Sequence, residues 1–394
     1  MPDGIVRIVG VGMTRFRRPS EGARYEELAE EAVLQALADA GVSYSDLDQI
    51  YAGWAYGDTT SAQRALLGLG MTGVPIFNVN NACASGSSAA FLARQAILGG
   101  SADCVLALGF EQMPAGALSL FFEDRAGVLD RHVAVSDAIL GPSDHPLTPK
   151  VFAAAGREHM QRDGISAEAY ARIAVKARAH AASNPKAVFR EPITVEEVLE
   201  SREIIAPLTK LQCCPPTSGA AAVVLASDSF ARTRGLNAAP AIRGMALTTD
   251  TPSAFEGSAI AMVGSDIARS AADKAYAEAN IDPSDIDVVE LHDCFTVNEA
   301  LSYEALRLVP GGEAERMIMD GDNTYGGQVV TNPSGGLLAK GHPLGATGPA
   351  QLTELVTQLR GQAGARQVDG ARIGVQHNVG LNGAAVVTVL EQAN

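Results

Sequence analysis

The chain predicts an α/β fold built from two similar halves, and three observations carry that expectation. Short apolar strands alternate with alanine- and leucine-rich helical stretches along most of its 394 residues. One helix–turn–strand segment occurs twice: Ala29, Ala32, Ala36, Ala38, Ala40, Ser45, Asp46 and Asp48 match Ala268, Ala271, Ala275, Ala277, Ala279, Ser284, Asp285 and Asp287 at one constant offset. Each half also closes on a glycine-led apolar strand, residues 219–226 in the first and 383–390 in the second. A composition 47% hydrophobic and only 5% aromatic supplies a large aliphatic core.

Taken in order, residues 4–9 read as a strand, and Gly10-Val11-Gly12 imitates the start of a dinucleotide fingerprint. The third glycine is missing and Phe16-Arg17-Arg18-Pro19 follows in place of a helix, which excludes a nicotinamide or flavin site there. Residues 25–40 have helical spacing and stop at Gly41; residues 49–53 form the next strand. A buried strand over 74–79 leads to Cys83, residues 89–98 form a helix that stops at Gly99-Gly100, and 105–111 is a strand. From 111 to 210 the pattern changes to loops and a helical stretch over 151–182 with no clear strand, an inserted subdomain. The first half thus spans 1–235, including the 111–210 insert, and the second 236–394. The second half repeats the plan: helix 267–279, strand 288–291, a glycine-punctuated loop over 331–348, helix 349–360, and strand 373–375 followed by a polar tip.

Thirty basic against 45 acidic residues give a net charge of −15, which argues against a nucleic-acid surface but leaves room for a local basic pocket. Lys176, Arg178, His180 and Lys186 form such a mixed basic set in the insert. Five cysteines without C-x-x-C spacing point to neither a disulfide framework nor a zinc site, and they fit a reducing, cytoplasmic setting. No apolar run is long enough to span a bilayer, and neither a signal peptide nor a peroxisomal address is expected. Cys104, Cys213, Cys214, His132, His145, His159 and His180 read as structural, and no metal site is expected.

Chemistry is expected at four tips. Cys83 stands just before a helix N-terminus, where orphan N–H groups and the macrodipole can lower a thiol from ~8.5 toward neutrality, which makes it a candidate nucleophile; the plain alternative is a small buried cysteine in a tight turn. His292-Asp293-Cys294-Phe295 sits at the C-terminal end of a strand, where open α/β sheets place ligands. His342 is held between Gly341 and Pro343, which let a substrate approach the backbone and fix where the ring starts. His377 lies in Gln376-His377-Asn378, beyond the last half's inner strand.

Together, Cys83-Ala84-Ser85-Gly86-Ser87, the His292–Phe295 box, Lys340-Gly341-His342-Pro343-Leu344-Gly345-Ala346-Thr347-Gly348 and Gln376-His377-Asn378-x-Gly380-x-x-Gly383 resemble the thiolase superfamily, and more narrowly its sterol carrier protein X type. The resemblance runs over nearly the whole chain. It implies a duplicated thiolase fold with a five-layered α-β-α-β-α core, an inserted loop domain that helps to hold coenzyme A, and a homodimer. It also implies thiolytic cleavage of 3-oxoacyl-CoA through an acyl-cysteine on Cys83, with His342 as base and His292 and His342 as donors to the thioester oxygen. Cys294, with His377 as neighbour or substitute, is then the second acid/base, because the second cysteine usual in thiolases is replaced by His377-Asn378-Val379. Backbone N–H groups of Cys83 and of Val379 or Gly380 form the oxyanion hole. Coenzyme A acts as co-substrate with no permanently bound cofactor, and Lys176, Arg178 and Lys186 are candidates for its phosphates. Substrates with a 2-methyl branch or a sterol side chain fit the same branch, as does a separate lipid carrier or a small partner subunit.

Three rivals share parts of this pattern. A ketosynthase would need a His-Gly-Thr-Gly-Thr loop that is absent. A retro-aldolase of the lipid-transfer-protein group would need a partner and no free coenzyme A. A non-catalytic acyl-CoA or sterol binder gives no reason for Cys83, His292, Cys294 and His342 to be assembled.

Overall fold

A computed structural model describes residues 4–114, 124–236 and 238–393. In chain order its strands are β1 (Val6–Met13), β2 (Gln49–Gly53), β3 (Ile76–Val79), β4 (Cys104–Glu111), β5 (Glu203–Ile205), β6 (Leu208–Thr209), β7 (Gly219–Ser227), β8 (Ala241–Thr248), β9 (Val288–Glu290), β10 (Val330–Thr331), β11 (Ile373–Gly380) and β12 (Ala384–Glu391). Ten of them are joined in the order β10-β9-β11-β12-β8-β1-β7-β4-β2-β3, and β5–β6 is a separate ribbon.

Read outward from the centre, the two halves are copies. β1-β7-β4 is antiparallel throughout and β4-β2-β3 parallel. β8-β12-β11 and β11-β9-β10 repeat that pattern. Among the described residues the two half-sheets pair strand to strand at two positions, Val6 with Ile242 and Arg7 with Ala241.

Burial explains the strand composition. β4 and β7 are covered along their whole length, so they read as unbroken apolar runs rather than alternating ones. The false fingerprint on β1 also finds its reason. A Cβ on Gly10 or Gly12 would lie 2.3 or 2.2 Å from the carbonyl oxygen of Ala36 or Ala32, so these glycines let the helix Tyr25–Ala40 lie directly on the strand. Gly244 of β8 plays the same part for Ser265–Ala279, 2.1 Å from the Ala275 carbonyl oxygen. The repeated alanines are thus the small faces of two matching helix–strand contacts.

Those two helices are outer layers. Ser85–Leu98 and Thr347–Leu359 lie between the two half-sheets and touch strands of both. In Thr347–Leu359 every residue except Thr357 is buried, the mark of a helix surrounded on all sides. The result is the expected α-β-α-β-α stack of the thiolase fold.

Between β4 and β7 the chain forms the helices Asp130–Leu140, Leu147–Asp163, Ala167–Ala181 and Val195–Glu200. The stretch expected as one helix is two, broken where Gly164 adopts φ 77° and Ser166 caps the next helix by accepting from the Ala169 N–H at 3.1 Å. The short ribbon β5–β6 has too few residues to leave a readable pattern. Two further boundaries differ. The helix after Cys83 starts at Ser85, because its small residues Gly86, Ser87 and Ser88 are selected by close packing rather than by helix propensity. β11 continues to Gly380, so the polar tip expected there belongs to a buried strand.

Candidate active site

β3 ends at Val79, and the next residues turn sharply, with Ala82 in the left-handed region at φ 49°. Ser85 fastens the turn by accepting from the Asn81 N–H at 2.9 Å and donating to the Ala82 carbonyl at 2.6 Å. Cys83 is thereby presented at the mouth of the helix Ser85–Leu98. That helix meets the loop of the other half backbone to backbone. A Cβ on Gly86 would lie 2.2 Å from the Gly345 carbonyl oxygen, and one on Gly348 would lie 2.0 Å from Ser87 Oγ. Glycine at these two positions is what lets the Cys83 turn and the His342 loop share one place.

They do share it. Cys83 Sγ, one ring nitrogen of His292 and one of His342 all lie within 4.8 Å of one another. The two imidazoles stand edge to face, 5.0 Å apart at 85°. His292 follows β9, and the bend expected there is held by Asp293, whose carboxylate accepts from the N–H groups of Leu337 (2.7 Å) and Leu338 (3.3 Å). Its Nδ1 faces the Asn378 side-chain amide at 2.9 Å. His342 is fixed at its backbone N–H, which donates to Thr217 Oγ1 at 2.7 Å, and at Nδ1, 2.7 Å from Thr347 Oγ1.

Burial dominates the electrostatics of the site. Burial, with the neighbouring imidazoles of His342 and His377, holds His292 well below the usual histidine range, and burial alone takes His342 down to about 3. Both rings are neutral at physiological pH. The thiol of Cys83 is pushed up to about 12 by burial and then by the Glu111 carboxylate. The thiol therefore stands above its ordinary range, opposite in direction to the lowering expected from the helix terminus. Glu111 itself, raised by burial to about 7, accepts from the N–H groups of Ala55, Tyr56 and Gly345 at 3.0, 2.9 and 3.0 Å, tying β2 and the His342 loop to the end of β4.

Three other expectations change. His377 points away from the thiol: side chains alternate along β11, and His377 and Val379 line a small cavity with Val263, Asn298 and Ser302. Neither of its ring nitrogens has a partner. The opposite face of β11 delivers Asn378 instead. The backbone N–H groups that act on the Cys83 thiol are its own and that of Leu381, the first residue past β11, whereas Val379 and Gly380, expected in that place, lie inside the strand. Among the candidate phosphate contacts, Lys176 is buried against Glu299 and Thr331, and the Lys186 ammonium donates to the Met13 carbonyl, so neither is free for a ligand. Arg178 stacks on Phe189 at 4.3 Å beside Arg18 at 5.0 Å, and with Arg15 and Arg190 they line a cavity of about 320 Å³.

Cys294 is buried. Its thiol is raised by burial and then by the nearby thiols of Cys214 and Cys83, and its carbonyl accepts from the Cys214 N–H at 2.9 Å. Asn378, Thr347, Thr217 and Glu111 were missed by the sequence reading. Asn378 had a signal in the alternation of a longer β11, and Glu111 in being a carboxylate closing an otherwise apolar strand. Thr217 and Thr347 had none.

The description of the thiolase N-terminal domain matches residues 6–229, and that of the thiolase C-terminal domain matches residues 253–392. The chain belongs to the thiolase family and is an acyltransferase. Within that family it stands with the sterol carrier protein branch. It is 52% identical to sterol carrier protein 2 of Gallus gallus over 98% of this chain and 71% of that protein. It is 45% identical to the non-specific lipid-transfer protein-like 2 of Caenorhabditis elegans over 97% and 95%. Among solved structures, the Ltp2-ChsH2(DUF35) aldolase matches with a TM-score of 0.83 at 27% identity, covering 99% of this chain and 98% of that one. Human mitochondrial 3-ketoacyl-CoA thiolase in complex with CoA matches in fold, with a TM-score of 0.74 at 18% identity over 99% and 98%. Among the described residues no helix is long and apolar enough to cross a membrane.

Proposed function

We propose that the protein cleaves 3-oxoacyl-CoA by thiolysis, with Cys83 as nucleophile. The reading rests above all on the convergence of Cys83 Sγ with ring nitrogens of His292 and His342 within 4.8 Å. With a thiol near 12 and a neutral imidazole beside it, the resting pair is uncharged, and the proton moves only as the bond forms. His342 takes the Cys83 proton while sulfur attacks the 3-oxo carbon, and the N–H groups of Cys83 and Leu381 receive the alkoxide. Collapse breaks the bond between carbons 2 and 3, leaves the acyl group on Cys83, and sends the electron pair into an enolate on the thioester. His292 and the now protonated His342 donate to that enolate oxygen. The Cys294 thiol, kept protonated by burial, delivers its proton to carbon 2 and releases acetyl-CoA, or propanoyl-CoA from a 2-methyl-branched substrate. The resulting Cys294 thiolate takes the proton of incoming coenzyme A, whose sulfur displaces Cys83; that thiolate recovers its proton from His342.

Intact mass after mixing with 3-oxoacyl-CoA and no free coenzyme A should show one acyl group on the wild type and none on Cys83→Ala. An adduct that persists on the variant rejects the nucleophile. Straight, 2-methyl and sterol-derived chains compared in the same assay define the acyl preference. The likeness to the Ltp2-ChsH2 aldolase favours a second reading, retro-aldol cleavage with a small partner subunit. Turnover that needs a partner but not free coenzyme A would establish it in place of thiolysis. A homodimer completes the proposal: β3 is an unpaired sheet edge with Phe77 45% and Met71 87% exposed. Light scattering should therefore give twice the 40.9 kDa chain mass.

A further inference from the structure

His292 and His342 are both neutral, so each carries one ring proton, and which nitrogen holds it decides whether the ring can give or take a hydrogen bond. The two Nδ1 atoms are occupied by Asn378 and Thr347, which leaves Nε2 of each ring for the thiol and the substrate.

For His292 the answer can be traced from a fixed point. The backbone carbonyl of His377 can only accept, so Gln351 must turn its Nε2 toward it, at 3.0 Å. Gln351 Oε1 then faces Gln376 and accepts from its Nε2 at 3.0 Å, while Gln376 Oε1 accepts from Thr388 Oγ1 at 2.8 Å. The second Nε2 proton of Gln376 goes to Ser87 Oγ at 2.7 Å, and the Ser87 hydroxyl passes its own proton to Asn378 Oδ1 at 2.8 Å. Asn378 is left with its Nδ2 toward His292, 2.9 Å from Nδ1. Nδ1 therefore accepts, and the proton sits on Nε2. For His342 the opposite holds. The Thr347 hydroxyl donates to the Pro343 carbonyl at 2.9 Å, so it can only accept from Nδ1–H, and Nε2 keeps its lone pair.

We propose that the buried relay Gln351–Gln376–Ser87–Asn378 positions His292 as an Nε2–H donor, so that the two imidazoles meet Cys83 with opposite tautomers, one base and one donor. Ser87, Gln351, Gln376 and Asn378 are all fully buried and none is charged, so the assignment does not titrate away. The inference rests on the thiolysis reading for its catalytic consequence, though not for the tautomer itself. The relay crosses the molecule: Ser87 belongs to the first half and the other three to the second.

The wild type alone provides the first test. Ring ¹⁵N spectra of protein labelled at histidine, with His292→Gln to assign the signals, should show His292 protonated at Nε2 and bare at Nδ1; the reverse overturns the proposal. Asn378→Asp offers only acceptors and should move the proton to Nδ1 at alkaline pH. The groups facing His292 are Cys83, His342 and His377, so an added carboxylate there also favours an imidazolium as pH falls. Thiolysis by Asn378→Asp should lose about 10²-fold in kcat at alkaline pH with KM little changed, and recover in part at acid pH, as loss and return of one oxyanion donor predict. Ser87→Ala, which removes one hydroxyl and serves if the first variant does not fold, should lose about tenfold in kcat. Wild-type kcat in either folded variant overturns the relay. Absence of an acyl-cysteine on the wild type would instead sink the thiolysis reading while leaving the tautomer spectrum standing.

Discussion

Cys83 presents a sulfur that is a poor nucleophile until its neighbour takes the proton, and this sets a measurable signature. A thiol near 12 is ionised only in trace at neutral pH, and the thiolate fraction grows with each unit of alkali. Alkylation of Cys83 by iodoacetamide should accelerate about tenfold per pH unit between pH 7 and 10, without the neutral plateau of a preformed thiolate pair. A plateau near pH 7, read by mass at Cys83, would contradict the uncharged resting state. At this scale glycine, proline and strand ends marked the short tips that bear Cys83, His292 and His342, the three side chains that the structure brings together. The sequence reading misassigned His377 for want of a strand boundary. One residue of phase separates the face that meets His292 from the face that meets Asn298 and Ser302, and only the extent of β11 resolves it.

Two buried helices that start at the same point organise the elements. The approach of Gly86 to Gly345 leaves no room for a methyl group, so Gly86→Ala must push the Cys83 helix and the His342 loop apart by about 1 Å to reach ordinary contact. That displacement should reduce kcat by about 10²-fold, while Gly4→Ala, with nothing within 4 Å, leaves it unchanged. Equal rates in both variants would show that the helix contact does not set the geometry. Most elements were legible from periodicity and glycine stops. What escaped were the central strand β8 and the helix Asp130–Leu140, the short β5–β6 ribbon and the break at Gly164, together with the true start of the Cys83 helix, whose small residues answer to tertiary packing.

At the scale of the whole molecule, buried histidines couple stability to pH. His377 has no hydrogen-bond partner and burial lowers it to about 3, so from about pH 6.5 downward the unfolded chain binds a proton that the folded chain refuses. Stability is lost through that window as pH falls. His377→Leu removes this liability. Relative to wild type it should gain about 1.4 kcal/mol per pH unit between pH 6 and 4 in urea unfolding, and keep its thiolysis rate. A rate lost with the tautomer and acyl-cysteine intact would return His377 to the chemistry. The duplication was the most readable global feature, since one constant offset carried it, whereas the layering depended on contacts between distant segments that no local pattern records.

We place the seam between the halves near residue 236, where the half-sheets pair strand to strand at two positions among the described residues. The sulfur lies on one side of that seam and both imidazoles on the other. Either half taken alone thus holds the attacking atom or its helpers, so the constellation exists only where the two halves close on one another.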